Sequence, residues 1–160
     1  MLSLAARHIQ HLMTNLKRIL LAEDNLNDIE LTLRALSNHH LANQVDVVHD
    51  GAEALDYLYR RGQHANRPSG NPVLIVLDNK MPKVDGLEVL QQIKADDRFK
   101  TIPVVMLTSS REHGDLLKSY ELGVNAYVVK PVEFCDFVNA VRELGAFWGI
   151  VNQSPPKPGS

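Results

Sequence analysis

The chain has 160 residues, a formal net charge of -2, and 44% apolar and 22% charged side chains. This length favours one domain with a single core, and the small negative charge argues against a nucleic-acid surface. No apolar run reaches the roughly 20 residues of a membrane span, and the single cysteine, Cys135, excludes an intrachain disulfide and fits a reducing cytoplasm.

Residues 1–16 precede the first strand-like run. Arg7, His8 and His11 interrupt them, which makes a poor signal peptide. Two readings stay open here: a start at Met13, or a short amphipathic helix over "LAARHIQHLMTNL". His8 and His11 lie one turn apart with no further ligand, so they read as a solvated face.

From residue 18 on, apolar strands alternate with amphipathic helices. "RILLA" (18–22) is a strand, and 28–37 is a helix with Ile29, Leu33 and Leu36 on one face. The alternation in 44–50 suggests an edge strand. Residues 51–62 read as a helix stopped by Gly62. "QHANRPSGNP" (63–72) is loop by composition. A fully apolar strand (72–78) leads to a helix at 86–97 with Leu87, Leu90 and Ile93 inward. Then come a strand (102–108), a weaker helix (112–123), a strand (125–130) and a helix over 132–148. The last helix carries a stripe of Phe134, Phe137, Val138, Val141 and Leu144, and Cys135 reads as a small packing residue on it. Five strand–helix units with continuously apolar strands predict a doubly wound α/β fold, a parallel sheet with helices on both faces.

In such sheets, ligands bind beyond the carboxyl ends of the strands, where the strand order reverses. The predicted strands end in Glu23-Asp24, Asp50-Gly51, Asp78, Thr108-Ser109-Ser110 and Lys130-Pro131. Singly, each has a local explanation. Asp24, Asn25 or Asn27 can cap the first helix, Asp50 the second, and Thr108 or Ser109 the fourth. Together, Glu23, Asp24 and Asp78 in one crevice repel unless a cation neutralises them, and oxygen-only donors suit Mg²⁺. A divalent ion, a lysine and a hydroxyl around a carboxylate form a site for a phosphoryl group, and the carboxylate can be the nucleophile.

The segments "AEDN" (22–25), "VLDNKMPKVDG" (76–86), "MLTSS" (106–110) and "AYVVKP" (126–131) resemble the receiver domain of two-component response regulators. The resemblance covers 17–150, leaving 1–16 as an N-terminal extension and 151–160 as a disordered tail. It implies a flavodoxin-like sheet of strand order 2-1-3-4-5. It also implies Asp78 as phosphoacceptor, and Glu23, Asp24, Asp78 and the Lys80 carbonyl as Mg²⁺ ligands. Thr108 corresponds to the switch hydroxyl, Lys130 to the phosphate-binding lysine and Tyr127 to the aromatic that changes rotamer. A cis Lys130–Pro131 bond is expected. The function implied is that of a stand-alone cytoplasmic switch, not an enzyme acting on other molecules, which promotes its own phosphorylation and dephosphorylation. It would be phosphorylated by a sensor histidine kinase. Its output would be protein contact or a histidine phosphotransfer protein. The long loop, "VNAYVVKP" and "GAFWGIVN" further resemble single-domain regulators that partner bacterial phytochromes.

Asn79 stands where many relatives carry an apolar residue. A polar residue is tolerable there if it faces the loop, and no role is assigned to it. Lys80 places a basic chain beside the acceptor, where it would tune the phosphate lifetime. The aromatics Phe147 and Trp148 fit either core packing or a homodimer contact. The alternative function is a phosphate-independent adaptor, which the retention of Glu23, Asp24, Asp78, Thr108 and Lys130 disfavours. An aspartyl phosphatase would place a second aspartate where Lys80 stands. A dinucleotide site would need glycines that "AEDNLND" lacks.

Overall fold

The computed structural model describes residues 3–7, 18–37, 44–109 and 126–144. Its elements are β1 (Arg18–Ala22), α1 (Leu26–Ser37), β2 (Gln44–Val48), α2 (Gly51–Tyr59), β3 (Leu74–Asp78), α3 (Gly86–Ala95), β4 (Val104–Thr108), β5 (Ala126–Val129) and α4 (Phe134–Glu143). All four strand pairings are parallel, in the order β2-β1-β3-β4-β5. The fold is thus the expected one, with β2 at an edge and the order reversing between β1 and β3. The helix predicted at 112–123, Phe147 and Trp148 lie outside the described residues.

Side chains alternate across each strand, and here both faces are covered. Ile19, Leu21, Val76, Val105, Leu107 and Val128 point to one side, where they pack with Leu36 of α1 and Phe137, Val138 and Val141 of α4. Leu20, Ile75, Leu77 and Met106 point to the other, against Ala54, Leu55 and Leu58 of α2 and Val89, Leu90 and Ile93 of α3. This two-sided burial is why the strand sequences lack a polar face. At the margins, Phe134, Leu144 and Leu87 are only partly buried. In α3 the buried set shifts to Val89, Leu90 and Ile93. Cys135 is exposed on α4.

Capping chemistry sets boundaries that periodicity misplaces. α1 begins at Leu26, two residues before the predicted start at 28, because Asn25 Oδ1 accepts from the Asp28 N–H at 3.0 Å. Asp85 caps α3 through the Glu88 N–H at 2.9 Å, and Asp50 caps α2 through the Glu53 N–H at 2.7 Å. α2 does not run to Gly62. It ends at Tyr59, where Arg60 turns left-handed (φ 55°) and its N–H reaches the carbonyls of Asp56 and Tyr57.

The loop after α2 is tied down by one side chain. The Arg67 guanidinium donates from Nε to the Tyr57 carbonyl at 2.6 Å, and from Nη1 to the Pro68 and Gly70 carbonyls at 3.0 and 2.9 Å. It also stacks over the Tyr57 ring, 4.3 Å from the centroid. The Tyr57 hydroxyl in turn donates to Asp46, which Arg18 pairs at 3.1 Å. The loop is therefore anchored to β1 and β2. Arg67→Ala should raise amide exchange across 62–72 and lower stability by about 1–3 kcal/mol. Hydrogen exchange with urea unfolding checks this, and unchanged protection would contradict it.

Candidate functional site

The carboxyl ends of β1, β3, β4 and β5 meet at one edge. The Glu23 N–H still pairs with the Val48 carbonyl at 3.0 Å, so strand geometry continues one residue past β1. Its side chain is fully buried. The Asn25 N–H donates to Glu23 Oε1 at 3.1 Å, which orients that carboxylate. Because Asn25 takes the cap of α1, Asp24 is left exposed at the cleft.

Asp78 is the last residue of β3 and is 4% exposed. The chain beyond it packs against itself too closely for side chains. A Cβ on Gly86 would stand 2.2 Å from the Asp78 carbonyl oxygen, and one on Gly51 would stand 1.8 Å from that of Val84. The Gly86 N–H donates to the Asn79 carbonyl at 3.0 Å, and Lys83 Nζ pairs with Asp50 Oδ2 at 3.3 Å. The β3–α3 loop is thus fixed to its own strand and to the start of α2. Asn79 follows Asp78 in the chain. It is 4% exposed, and its N–H is held by the Leu107 carbonyl at 3.0 Å. Pairing with β4 draws it into the sheet edge.

One carboxylate oxygen from each of Glu23, Asp24 and Asp78 lies within 4.8 Å of the other two. Lys130 closes the cluster. Its Nζ lies 3.0 Å from Asp78 Oδ1, 3.2 Å from Glu23 Oε2 and 3.1 Å from Asp28 Oδ2. The bond to Pro131 is cis. Glu23, Asp24, Asp28, Asp78, Lys80, Ser109 and Lys130 line a cleft of about 490 Å³.

Thr108 is 2% exposed, and its hydroxyl donates to the Ser109 carbonyl at 3.2 Å. Ser109 lines the cleft and Thr108 does not. Tyr127, opposite Met106 in the sheet, is half-buried against the core on the α2–α3 side. Lys80 is exposed at the rim. Asp28 was not foreseen as a site residue. Its contact with Lys130 joins residues 102 positions apart, which no local pattern in the sequence signals.

Burial raises the Glu23 carboxyl to about 7, and the Asp78 charge adds to the effect while Lys130 partly opposes it. Burial likewise raises Asp78, although Lys130 pulls it back. Burial disfavours the Lys130 ammonium, but Asp78 and Glu23 outweigh that and raise its pKa. Four carboxylates line the cleft against two ammonium groups, of which Lys80 is at the exposed rim. Glu23 Oε2, although close to Lys130, accepts no aligned hydrogen bond. Excess negative charge, an unsatisfied buried oxygen and an all-oxygen donor set fit a hard divalent cation.

The model of the response regulator receiver domain family matches residues 19–142. The chain is 40% identical over 137 residues to the "Probable methanogenesis regulatory protein FilR2" of Methanothrix harundinacea, covering 86% of each chain. It is 39% identical over 132 residues to the response regulator Rcp1 of Synechocystis sp., covering 82% of this chain and 88% of Rcp1. The Mn²⁺-bound form of Rcp1 superposes with a TM-score of 0.69 at 37% identity, over 88% of this chain and 99% of that one. The bacteriophytochrome response regulator AtBRR is 60% identical with a TM-score of 0.80, over 87% of this chain and 99% of its own.

A cation at these carboxylates must displace the proton that Glu23 holds below about pH 7. Mg²⁺ affinity should therefore rise roughly tenfold from pH 6 to pH 8 and flatten above neutrality. Titration calorimetry in buffers of different ionisation enthalpy reads both the affinity and the released proton. A flat profile with no proton release would contradict the assignment.

Proposed function

The chain belongs to the response regulator receiver family, and we propose that its switch works by phosphorylation of Asp78 with Mg²⁺ held by Glu23, Asp24, Asp78 and the Lys80 carbonyl. The observation that carries this reading is the Lys130 ammonium 3.0 Å from Asp78 Oδ1, in the same crevice as the acidic cluster. The donor is a sensor histidine kinase. A bacteriophytochrome is the proposed kinase, supported by the 60% identity to AtBRR.

In the transfer, an Asp78 carboxylate oxygen attacks phosphorus and forms an acyl phosphate. The bond from phosphorus to the imidazole nitrogen breaks, and its electron pair leaves with the imidazole. The Lys130 ammonium faces the oxygens on which charge accumulates. Mg²⁺ held by Glu23, Asp24, Asp78 and the Lys80 carbonyl would supply charge neutralisation there. Burial of Asp78 keeps bulk water from the product, and loss of phosphate follows when water attacks phosphorus.

The switch itself is proposed to run through Thr108 and Tyr127. The Thr108 hydroxyl, now on the Ser109 carbonyl, turns to the phosphoryl oxygens, and the half-buried Tyr127 ring moves into the space released. The altered surface then passes the signal by protein contact, or onward to a histidine phosphotransfer protein.

Intact mass after incubation with Mg²⁺ and acetyl phosphate tests this reading. One phosphoryl adduct is expected, absent with chelator and absent in Asp78→Asn. An adduct that persists in Asp78→Asn, or none on folded wild-type protein, would contradict it.

A further inference from the structure

We infer that Asp28 is a positioning residue that holds Lys130 in place for the phosphoryl group; this rests on the function proposed above. A lysine ammonium has three N–H donors and no acceptor. Here three carboxylates surround it, Asp78 at 3.0 Å, Asp28 at 3.1 Å and Glu23 at 3.2 Å. Two of the three change occupation during the reaction. Asp78 becomes the acyl phosphate, and Glu23 belongs to the set of carboxylates close enough to share a cation. Asp28 is outside that set, so among the described residues it is the partner of Lys130 that stays the same throughout.

Its own placement is well determined. The Asn25 side chain caps the Asp28 N–H at 3.0 Å, which fixes the first turn of α1. A carboxylate in that turn is favoured by the positive end of the helix. Lys130 and Asp28 are also half-sheltered, with side chains 20% and 29% exposed. A free lysine loses much rotamer freedom when it engages a phosphoryl oxygen. Anchoring by Asp28 removes most of that freedom beforehand, and places Nζ beside the acceptor rather than in solvent.

The sign of the effect separates this role from a plain field effect. Asp28 is one more negative charge beside an anion-binding site, so neutralising it should by field alone tighten anion binding. Loss of positioning should weaken it. The probe is beryllofluoride, a mimic of a phosphoryl group on a carboxylate, titrated at saturating Mg²⁺ against wild type, Asp28→Asn, Lys130→Met and the double variant. Asp28→Asn is expected to weaken binding about two- to fivefold, the range of a partly exposed ion pair. In the Lys130→Met background the same substitution should no longer weaken it. Equal or tighter binding in Asp28→Asn, or the same weakening with and without Lys130, would overturn the inference. Failure of the wild type to bind beryllofluoride would overturn the function on which it rests as well.

Discussion

Like charges crowded into a buried crevice are the constraint on which the rest of this structure depends. Carboxylate oxygens of Glu23, Asp24 and Asp78 lie within 4.8 Å of one another. At an effective dielectric of ~20, each such pair of full charges repels by roughly 3–4 kcal/mol. Lys130 offsets part of this by direct contact with Glu23 and Asp78. Burial, with the Asp78 charge adding to it, raises the Glu23 pKa to about 7, which leaves the carboxyl largely protonated below neutrality. A bound cation can take the place of that proton. The site is therefore poised for a cation and for a further anionic group near Lys130, and this poise is a property of the protein alone.

Such a cluster needs a scaffold that does not relax. β1, β3 and β4 supply it, because they are buried on both faces and hydrogen-bonded on both edges. The close approach of Gly86 to the Asp78 carbonyl and of Gly51 to Val84 leaves the β3–α3 loop little room to move. The apolar strands and the polar ends are thus two parts of one arrangement. Burial fixes the sheet, and the sheet holds together charges that would otherwise separate.

The parallel sheet and the core were legible because strands buried on both sides must be continuously apolar, as in "VLIVL" (73–77), whereas the strand order came from the family resemblance. Glu23, Asp24, Asp78 and Lys130 were legible because strand ends at a reversal of order converge, and because their motifs resemble a family. What was hidden was mostly long-range or a matter of competing caps. Asp28 reaches Lys130 across 102 positions in the chain, which no local pattern reveals. Asn25 won the cap of α1 over Asp24, and a left-handed Arg60 ended α2 before Gly62. Asn79 was given no role, and its burial accompanies a pairing of its N–H with the Leu107 carbonyl that the sequence does not locate. The loop after α2 was readable as loop, yet its anchoring by Arg67 depends on carbonyls that a sequence does not locate. Among the described residues no helix is long and apolar enough to cross a membrane, in line with the composition.

The direct measurement is equilibrium urea unfolding near pH 8 of wild type and Asp78→Asn, each with and without Mg²⁺. The raised Asp78 pKa means that its charged form is on balance disfavoured by its surroundings, and in the variant Lys130 keeps Glu23 and Asp28. Without Mg²⁺, Asp78→Asn should be the more stable protein. Mg²⁺ at ~100 times its Kd should stabilise wild type by about 2.7 kcal/mol, and the variant far less at the same concentration. A less stable Asp78→Asn, or equal stabilisation of both by Mg²⁺, would contradict the account of a charge-crowded site held ready for a cation.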